Sequence, residues 1–278
     1  MPEYLTVPGG RIAYETAGEG PLIVLAHGMG DNRDAYRGLA DRLVAAGFRV
    51  VRTDLRGHGG SDTGWTSWSR TDVAGDLLAL VRHLGGPAVV VGHSFAGGAA
   101  VIAAAEEPGL VNAVVGICPF TRAQKIDAGA LFSNSRYRKG LALLLGAGLL
   151  RSVGLWKRYL HHAYPGARPA GFAAHVAAVE ADLRRPGRMA VVGRMGMSAP
   201  TDAGARLAAV RCRVLIVQGT LDPDWADPRA EGEGIVAELP DGIGRLEMVE
   251  GAGHYPHVQY PERVAGAVLA FLGEAARA

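Results

Sequence analysis

A serine hydroxyl attacks a carbonyl at neutral pH only when a base takes its proton and a third group orients that base. Three stretches of this chain could supply such a set. In Gly92-His93-Ser94-Phe95-Ala96, a serine stands among very small residues, where a β-branched run (88–91) gives way to a helix-forming run (96–107). A sharp strand-to-helix turn of this kind holds its serine in a strained backbone and tolerates only small neighbours. In Gln218-Gly219-Thr220-Leu221-Asp222-Pro223-Asp224, an acid follows an apolar run; in Glu250-Gly251-Ala252-Gly253-His254-Tyr255-Pro256, a histidine sits in a glycine-rich loop after another. The order is serine, aspartate, histidine.

Each residue has a plainer role open to it. Ser94 could be the N-cap of a tightly packed helix, and Asp222 beside Pro223 an ordinary turn former. Asp224 competes with Asp222 as the acid and His257 competes with His254 as the base, while His27, His58 and His93 read as structural hydrogen-bonding groups. Acyl transfer also needs donors for the developing oxyanion. The N–H of Phe95 at a helix start is one, and the N–H of Met29 in Ala26-His27-Gly28-Met29-Gly30, after an early strand, is the expected second.

The elements that must position these loops are legible as alternation. Segments 4–7 and 11–16 read as a hairpin; 22–26, 48–53, 88–92, 111–118, 213–218 and 245–249 read as further strands; 36–46, 71–84, 96–107, 227–239 and 261–276 read as helices between and after them. This is the pattern of βαβ units and a mostly parallel sheet, which binds ligands beyond its strands' carboxyl ends. Between residues 121 and 200 the alternation stops and the chain reads as helices alone. The expected organisation is an α/β body, 1–120 and 201–278, interrupted by a helical insertion at 121–200.

With these residues in place, the chain resembles the α/β-hydrolase superfamily in its serine-nucleophile, esterase- and lipase-like branch. The stretch Asp54-Leu55-Arg56-Gly57-His58-Gly59-Gly60-Ser61-Asp62 looks like that superfamily's loop after its fourth strand. The resemblance implies an α/β-hydrolase fold with an eight-stranded, mostly parallel sheet, a helical cap or lid inserted after the sixth strand, and no cofactor or metal. It implies catalysis by Ser94, Asp222 and His254, with the Met29 and Phe95 backbone N–H groups as oxyanion hole. Related dehalogenases and epoxide hydrolases carry a carboxylate where this chain has Ser94, so their alkylating chemistry is not expected. Ala96 departs from the glycine usual there. The leading expectation is a hydrolase of carboxylic esters; a transferase, cyclase or thioesterase using the same triad, and a hydrolase-like ligand receptor, are the alternatives.

Charge is unevenly placed. Residues 121–195 hold thirteen basic side chains, Lys125 among them, against three acidic ones; that is a net +10, which leaves −8 for the rest of a chain whose formal charge is +2. Such a segment is either a solvated surface paired with the acidic body or an attractor for an anionic or carrier-bound acyl substrate. Residues 141–150, with Trp156 and Tyr159, either line an acyl pocket or pack the insertion on the body. Cys118 and Cys212 are too few for a disulfide framework and read as buried thiols. No apolar run reaches the ~18 residues of a membrane span, the N-terminus has no secretory pattern, and no nucleic-acid motif is present. A cytoplasmic protein acting on a small acyl compound is expected.

Overall fold

The computed structural model describes residues 2–123 and 126–275, so Lys125 and Ala276 of the expectations above lie outside the described residues. The chain opens as an antiparallel hairpin, β1 (Glu3–Val7) and β2 (Gly10–Ala17). It continues through β3 (Leu22–Ala26), α1 (Arg37–Ala45), β4 (Arg49–Thr53), α2 (Arg70–His83), β5 (Ala88–His93), α3 (Phe95–Glu106) and β6 (Val111–Ile117). Helices alone follow: α4 (Ala128–Ser133), α5 (Ser135–Leu149), α6 (Val153–Ala163), α7 (Phe172–Leu183), α8 (Arg188–Gly196) and the short α9 (Thr201–Gly204). Then come β7 (Arg213–Gly219), α10 (Pro228–Glu238), β8 (Gly244–Val249), α11 (Pro256–Gln259) and α12 (Pro261–Ala275).

The eight strands form one sheet in the order β1-β2-β4-β3-β5-β6-β7-β8, parallel from β4 onward. The continuous apolar run of β3 has a direct cause. Val24 and Ala26 face a core built with Leu77, Leu80 and Ile102 of α2 and α3, while Ile23 and Leu25 face a second core with Leu39, Leu43, Val268 and Phe271 of α1 and α12. Helices cover both faces, so neither set of alternate positions can be polar. This is the α/β-hydrolase architecture. The start of α2 is set by a capping box: Ser69 Oγ accepts from the Asp72 N–H at 3.1 Å, and Asp72 Oδ2 accepts from the Ser69 N–H at 2.8 Å.

The helices between β6 and β7 have a core of their own around Leu143, Trp156, Leu160, Phe172, Val179 and Met189. They dock on the body through the loop after β4, where the Gly59 N–H donates to Asp182 at 3.0 Å and buried Arg188 donates to the carbonyls of Gly59 and Ser61. Two short α-helices escaped the sequence reading, as did single 3-10 turns at Arg33–Tyr36 and Leu207–Ala209. α9 and α11 are four residues each, too short to show a helical period. Cys118 is buried, whereas Cys212, just before β7, is half-buried and only partly packed against the core on the α2 and α3 side of the sheet. No helix among the described residues is long and apolar enough to cross a membrane.

Candidate functional site

Because β3, β5, β7 and β8 run parallel, their carboxyl ends deliver four loops to one edge of the sheet. Ser94 follows β5 directly with φ 52° and ψ −116°, a strained conformation for a residue with a side chain. Its neighbours must be small. A Cβ at Gly92 would strike the Ala96 carbonyl oxygen, and one at Gly97 would lie 2.5 Å from Pro119 Cβ. The Ala96 methyl, by contrast, packs in the sheet core, which explains why alanine is accepted where the superfamily usually has glycine. Ser94 occupies the N-cap position but its hydroxyl makes no capping bond, which removes the plain N-cap role. Its Oγ has no hydrogen bond to another described residue; contacts of this kind commonly tighten only with substrate.

His254 Nδ1 lies 2.9 Å from Asp222 Oδ2, both side chains buried. Nδ1 is thereby the donating nitrogen, and Nε2 is the one left to face a hydroxyl. Asp224 stands behind: its Oδ2 is 3.4 Å from the same Nδ1 and accepts from the Tyr159 hydroxyl at 2.7 Å. The Asp224 N–H donates to Asp222 Oδ1 at 3.0 Å, so the two acids belong to one loop structure. Burial pulls His254 down, but Asp222 and Asp224 more than offset it and leave the imidazolium favoured up to about 9. Burial pushes Asp224 up to about 6, with Asp222 adding to the rise and His254 opposing it.

Four other histidines, His27, His58, His93 and His257, are buried around the same loops. His257 is fully buried, its ring tilted against those of Tyr36 at 4.6 Å and His93 at 4.8 Å, and burial holds it neutral down to about 3. His93 Nε2 meets the His254 carbonyl at 2.8 Å. His27 and His58 shape the loop after β3: His27 Nδ1 bonds the Gly28 carbonyl at 2.6 Å, and His58 Nε2 accepts from the Gly30 N–H at 2.9 Å. Burial keeps His58 neutral down to about 3, so Nε2 stays an acceptor and Nδ1 donates to the Arg56 carbonyl. Between these anchors the Met29 N–H has no acceptor among the described residues, and neither has the Phe95 N–H at the first position of α3. A Cβ at Gly28 would sit 3.0 Å from Ser94 Cβ, a measure of how closely the two loops approach.

A cavity of about 320 Å³ opens over these groups, bordered by Met29, Ser94, Phe95, Asp224 and His254 from the body. Its other walls come mainly from α5, α6 and α8, with Arg70 of α2, Phe120 and the stretch 197–200 completing them. Residues 141–150 prove to be divided: Leu143 and Ala147 pack inward, whereas Leu141, Leu144, Leu145 and Leu149 border the cavity. α6 reaches the loops after β3, β7 and β8 at three points: Trp156 Nε1–H donates to the Gly30 carbonyl at 2.9 Å, Tyr159 donates to Asp224, and the His254 N–H donates to the Ala163 carbonyl at 3.0 Å. The sequence marked Trp156 and Tyr159, three residues apart on this helix, as pocket lining or packing on the body, and they prove to border the cavity and to bond the body; their hydrogen-bond partners, and the Ala163 contact, were not readable from it.

The sequence profile of the alpha/beta hydrolase family matches residues 23–267. The chain belongs to that family. It is 30% identical over 280 residues to an uncharacterised protein of Mycobacterium tuberculosis, covering 97% of this chain and 80% of the relative. It is 28% identical over 263 residues to 2-(acetamidomethylene)succinate hydrolase of Mesorhizobium japonicum, covering 92% and 89%. Among solved structures it is similar to an esterase of Exiguobacterium antarcticum, with a TM-score of 0.79, 19% identity, and coverage of 98% of this chain and 100% of the other.

In this alpha/beta hydrolase the basic excess of residues 121–195 sits mostly outside the cavity. Lys157 and Arg184 pair with Glu180, Arg185 with Asp182, and Arg122 with Glu231 and Glu238, while Arg138, Lys139, Arg151 and Arg194 are exposed. Among the described residues, Cys118, Asp222 and His254 bring potential metal-ligating atoms within 4.8 Å of one another. The set suits a metal poorly. His254 Nδ1 and Asp222 are committed to each other, and burial pushes the Cys118 thiol well above its ordinary range, which keeps it protonated.

Proposed function

We propose that this alpha/beta hydrolase is a serine hydrolase of carboxylic esters or related small acyl compounds, acting without a cofactor. Ser94 is the nucleophile, His254 the general base and acid, and Asp222 the group that orients the imidazole and stabilises its charge. The Met29 and Phe95 N–H groups are the oxyanion donors. The observation that carries this reading is the 2.9 Å contact of His254 Nδ1 with Asp222, which leaves Nε2 for the hydroxyl, beside the cavity that both His254 and the strained Ser94 border. The similarity to a hydrolase of 2-(acetamidomethylene)succinate and to esterases supports it.

In the reaction, Ser94 Oγ bonds to the acyl carbon as its proton passes to Nε2, and the carbonyl oxygen takes negative charge against the two N–H donors. The tetrahedral species collapses, the bond to the leaving group breaks, and His254 returns the proton to it. Water, deprotonated by the same nitrogen, then releases the acid and restores the hydroxyl. Residues 121–200 act as the cap over this site, and 1–120 with 201–278 as the catalytic body. Asp222 is preferred to Asp224 as the acid because it is nearer to Nδ1, 2.9 against 3.4 Å. The test is intact-protein mass spectrometry after treatment with a fluorophosphonate. A single adduct lost in both Ser94→Ala and His254→Ala is expected; an adduct that survives Ser94→Ala would overturn the assignment.

A further inference from the structure

The cavity has one arginine or lysine among its described lining residues, and it comes from neither the basic segment nor the candidate triad. Arg70, the first residue of α2, borders the cavity with Ser94, Phe95, Phe120 and Ser198. It is 4% exposed. Its Nε donates to the Phe120 carbonyl at 3.1 Å and its Nη1 to the Ser198 carbonyl at 2.8 Å, while its Cζ lies 4.2 Å from the centre of the Phe95 ring. No carboxylate among the described residues lies within ion-pair distance; the acid acting on it is the more distant Asp202. Burial draws the guanidinium down to about 10, the mark of a cation that has given up water without gaining an anion.

Buried arginines elsewhere in this protein are answered differently. Arg56 is held by Asp76 at 2.7 and 2.9 Å, and Arg188 has Asp182 within 4.0 Å. Two carbonyls and an aromatic face recover only part of the cost of burying a charge. A guanidinium has five N–H donors, and the two bonds use two of them. Nη2 makes no hydrogen bond among the described residues, yet it is not one of the atoms sealed from solvent without a partner. The space that Arg70 borders is the catalytic cavity, next to the residue that follows the nucleophile.

We infer that Arg70 is the binding site for a carboxylate of the substrate, so that this hydrolase acts on acyl compounds that carry a free carboxylate besides the bond to be cleaved. The inference rests on Ser94 being the acylated residue. It moves the anion preference from the basic helical segment, whose described charges lie mostly on the surface or in ion pairs, to a single buried cation of the body. Asp224 borders the same cavity, but Tyr159 and His254 occupy its Oδ2, so the carboxylate is drawn to the Arg70 end. Planar, charge-assisted bonding to a carboxylate is what a guanidinium offers and an ammonium does not match.

The experiment compares kcat/KM for mono-para-nitrophenyl glutarate and para-nitrophenyl butyrate. The wild type is expected to favour the anionic ester by about 10-fold or more, the span of a charged hydrogen bond. That preference should persist in high salt, because a buried pair is screened little, whereas one due to the exposed arginines and lysines would fade. Arg70→Gln should lower the anionic ester's kcat/KM about ten times more than the neutral ester's, mostly through KM, and Arg70→Lys should recover only part. A wild type without the preference overturns the inference, as does an Arg70→Gln variant that loses both esters equally. If Ser94 takes no fluorophosphonate, the serine reading fails by itself, and calorimetry with glutarate then reads the subsite directly. Binding to the wild type and not to a folded Arg70→Gln supports it, and no binding to the wild type overturns it. Should Arg70→Gln not fold, the wild-type ester ratio and its salt dependence decide.

Discussion

The sheet body and the helices between β6 and β7 border the same cavity, but they are built into it differently. The body presents its groups from loops held by backbone: the Ser94 N–H donates to the Ile117 carbonyl at 2.9 Å, and the Phe120 N–H to the Ser94 carbonyl at 3.1 Å. The helical segment reaches in mainly with side-chain tips, the Trp156 indole on Gly30, the Tyr159 hydroxyl on Asp224 and the His175 ring 2.8 Å from Asp31. A backbone-held loop has one geometry over a wide range of sequences, whereas a tip contact is a single hydrogen bond worth about 1 kcal/mol. Damage to the body should therefore abolish the reaction, and damage to the helical contacts should retune it.

The sharpest test of that division sets two acids two residues apart against each other. Asp222→Asn is expected to lower kcat by about 10³ to 10⁴, the scale of losing the group that fixes the base's tautomer. Asp224→Asn, which removes the acid tied to the helical segment, should cost less than about 10-fold. Equal losses would erase the distinction between a body acid and a helix-linked one. Next in size is Trp156→Phe, which keeps a ring against the loop after β3 but removes its donor. Leaving the Gly30 carbonyl unpaired should loosen that loop and reduce kcat by roughly 10-fold, with KM nearly unchanged; an equal rise in KM instead would make Trp156 a wall of the cavity only.

The pH dependence separates the same two regions. With His254 favoured as imidazolium up to about 9, kcat/KM should rise with pH along a limb above the ordinary histidine range. In Asp224→Asn one of the two carboxylates facing the ring is gone, so that limb should move down by about one unit. Stability has the opposite trend: a histidine whose folded value exceeds its unfolded 6.5 stabilises fully below 6.5 and loses that contribution as pH rises to about 9. Tm should accordingly fall across that window, and fall less in Asp224→Asn; thermal melts at fixed ionic strength measure it. The smallest effect belongs to Tyr159→Phe. Loss of the hydroxyl raises Asp224 further and weakens its hold on His254, so the limb should move down by a fraction of a unit, with about a 2- to 5-fold change in kcat.

Much of this was legible in the chain itself. A run such as Leu22-Ile23-Val24-Leu25-Ala26 can only be a strand covered on both faces, and Gly92, Gly97 and Ala96 around Ser94 disclose a turn with no space for larger side chains. These are local facts, since the steric demand and the residues that meet it are neighbours. The contacts of Arg70, His58, Trp156 and Tyr159 were not legible. Arg70 is 50 residues from Phe120 and 128 from Ser198, and helical periodicity tells which face of α2 or α6 is apolar but not what that face abuts. The basic excess was likewise visible as a sum, but only the fold showed that it lies mostly on the surface and in pairs.

The sequence by itself determined the order of elements, the strained serine and the spacing of serine, acid and histidine, because backbone sterics and alternation act over a few residues. Only the tertiary structure decided how near each acid comes to His254. Asp222 and Asp224 share one loop and one chemistry, and although the sequence favours Asp222, it leaves Asp224 open as its competitor. Their difference of 0.5 Å to Nδ1 arises where the loop after β7 folds the Asp224 N–H onto Asp222 and α6 draws Asp224 toward Tyr159. Short-range rules have no access to a distance set by elements more than sixty residues apart, and the proposal that Asp222 is the orienting acid rests on that distance.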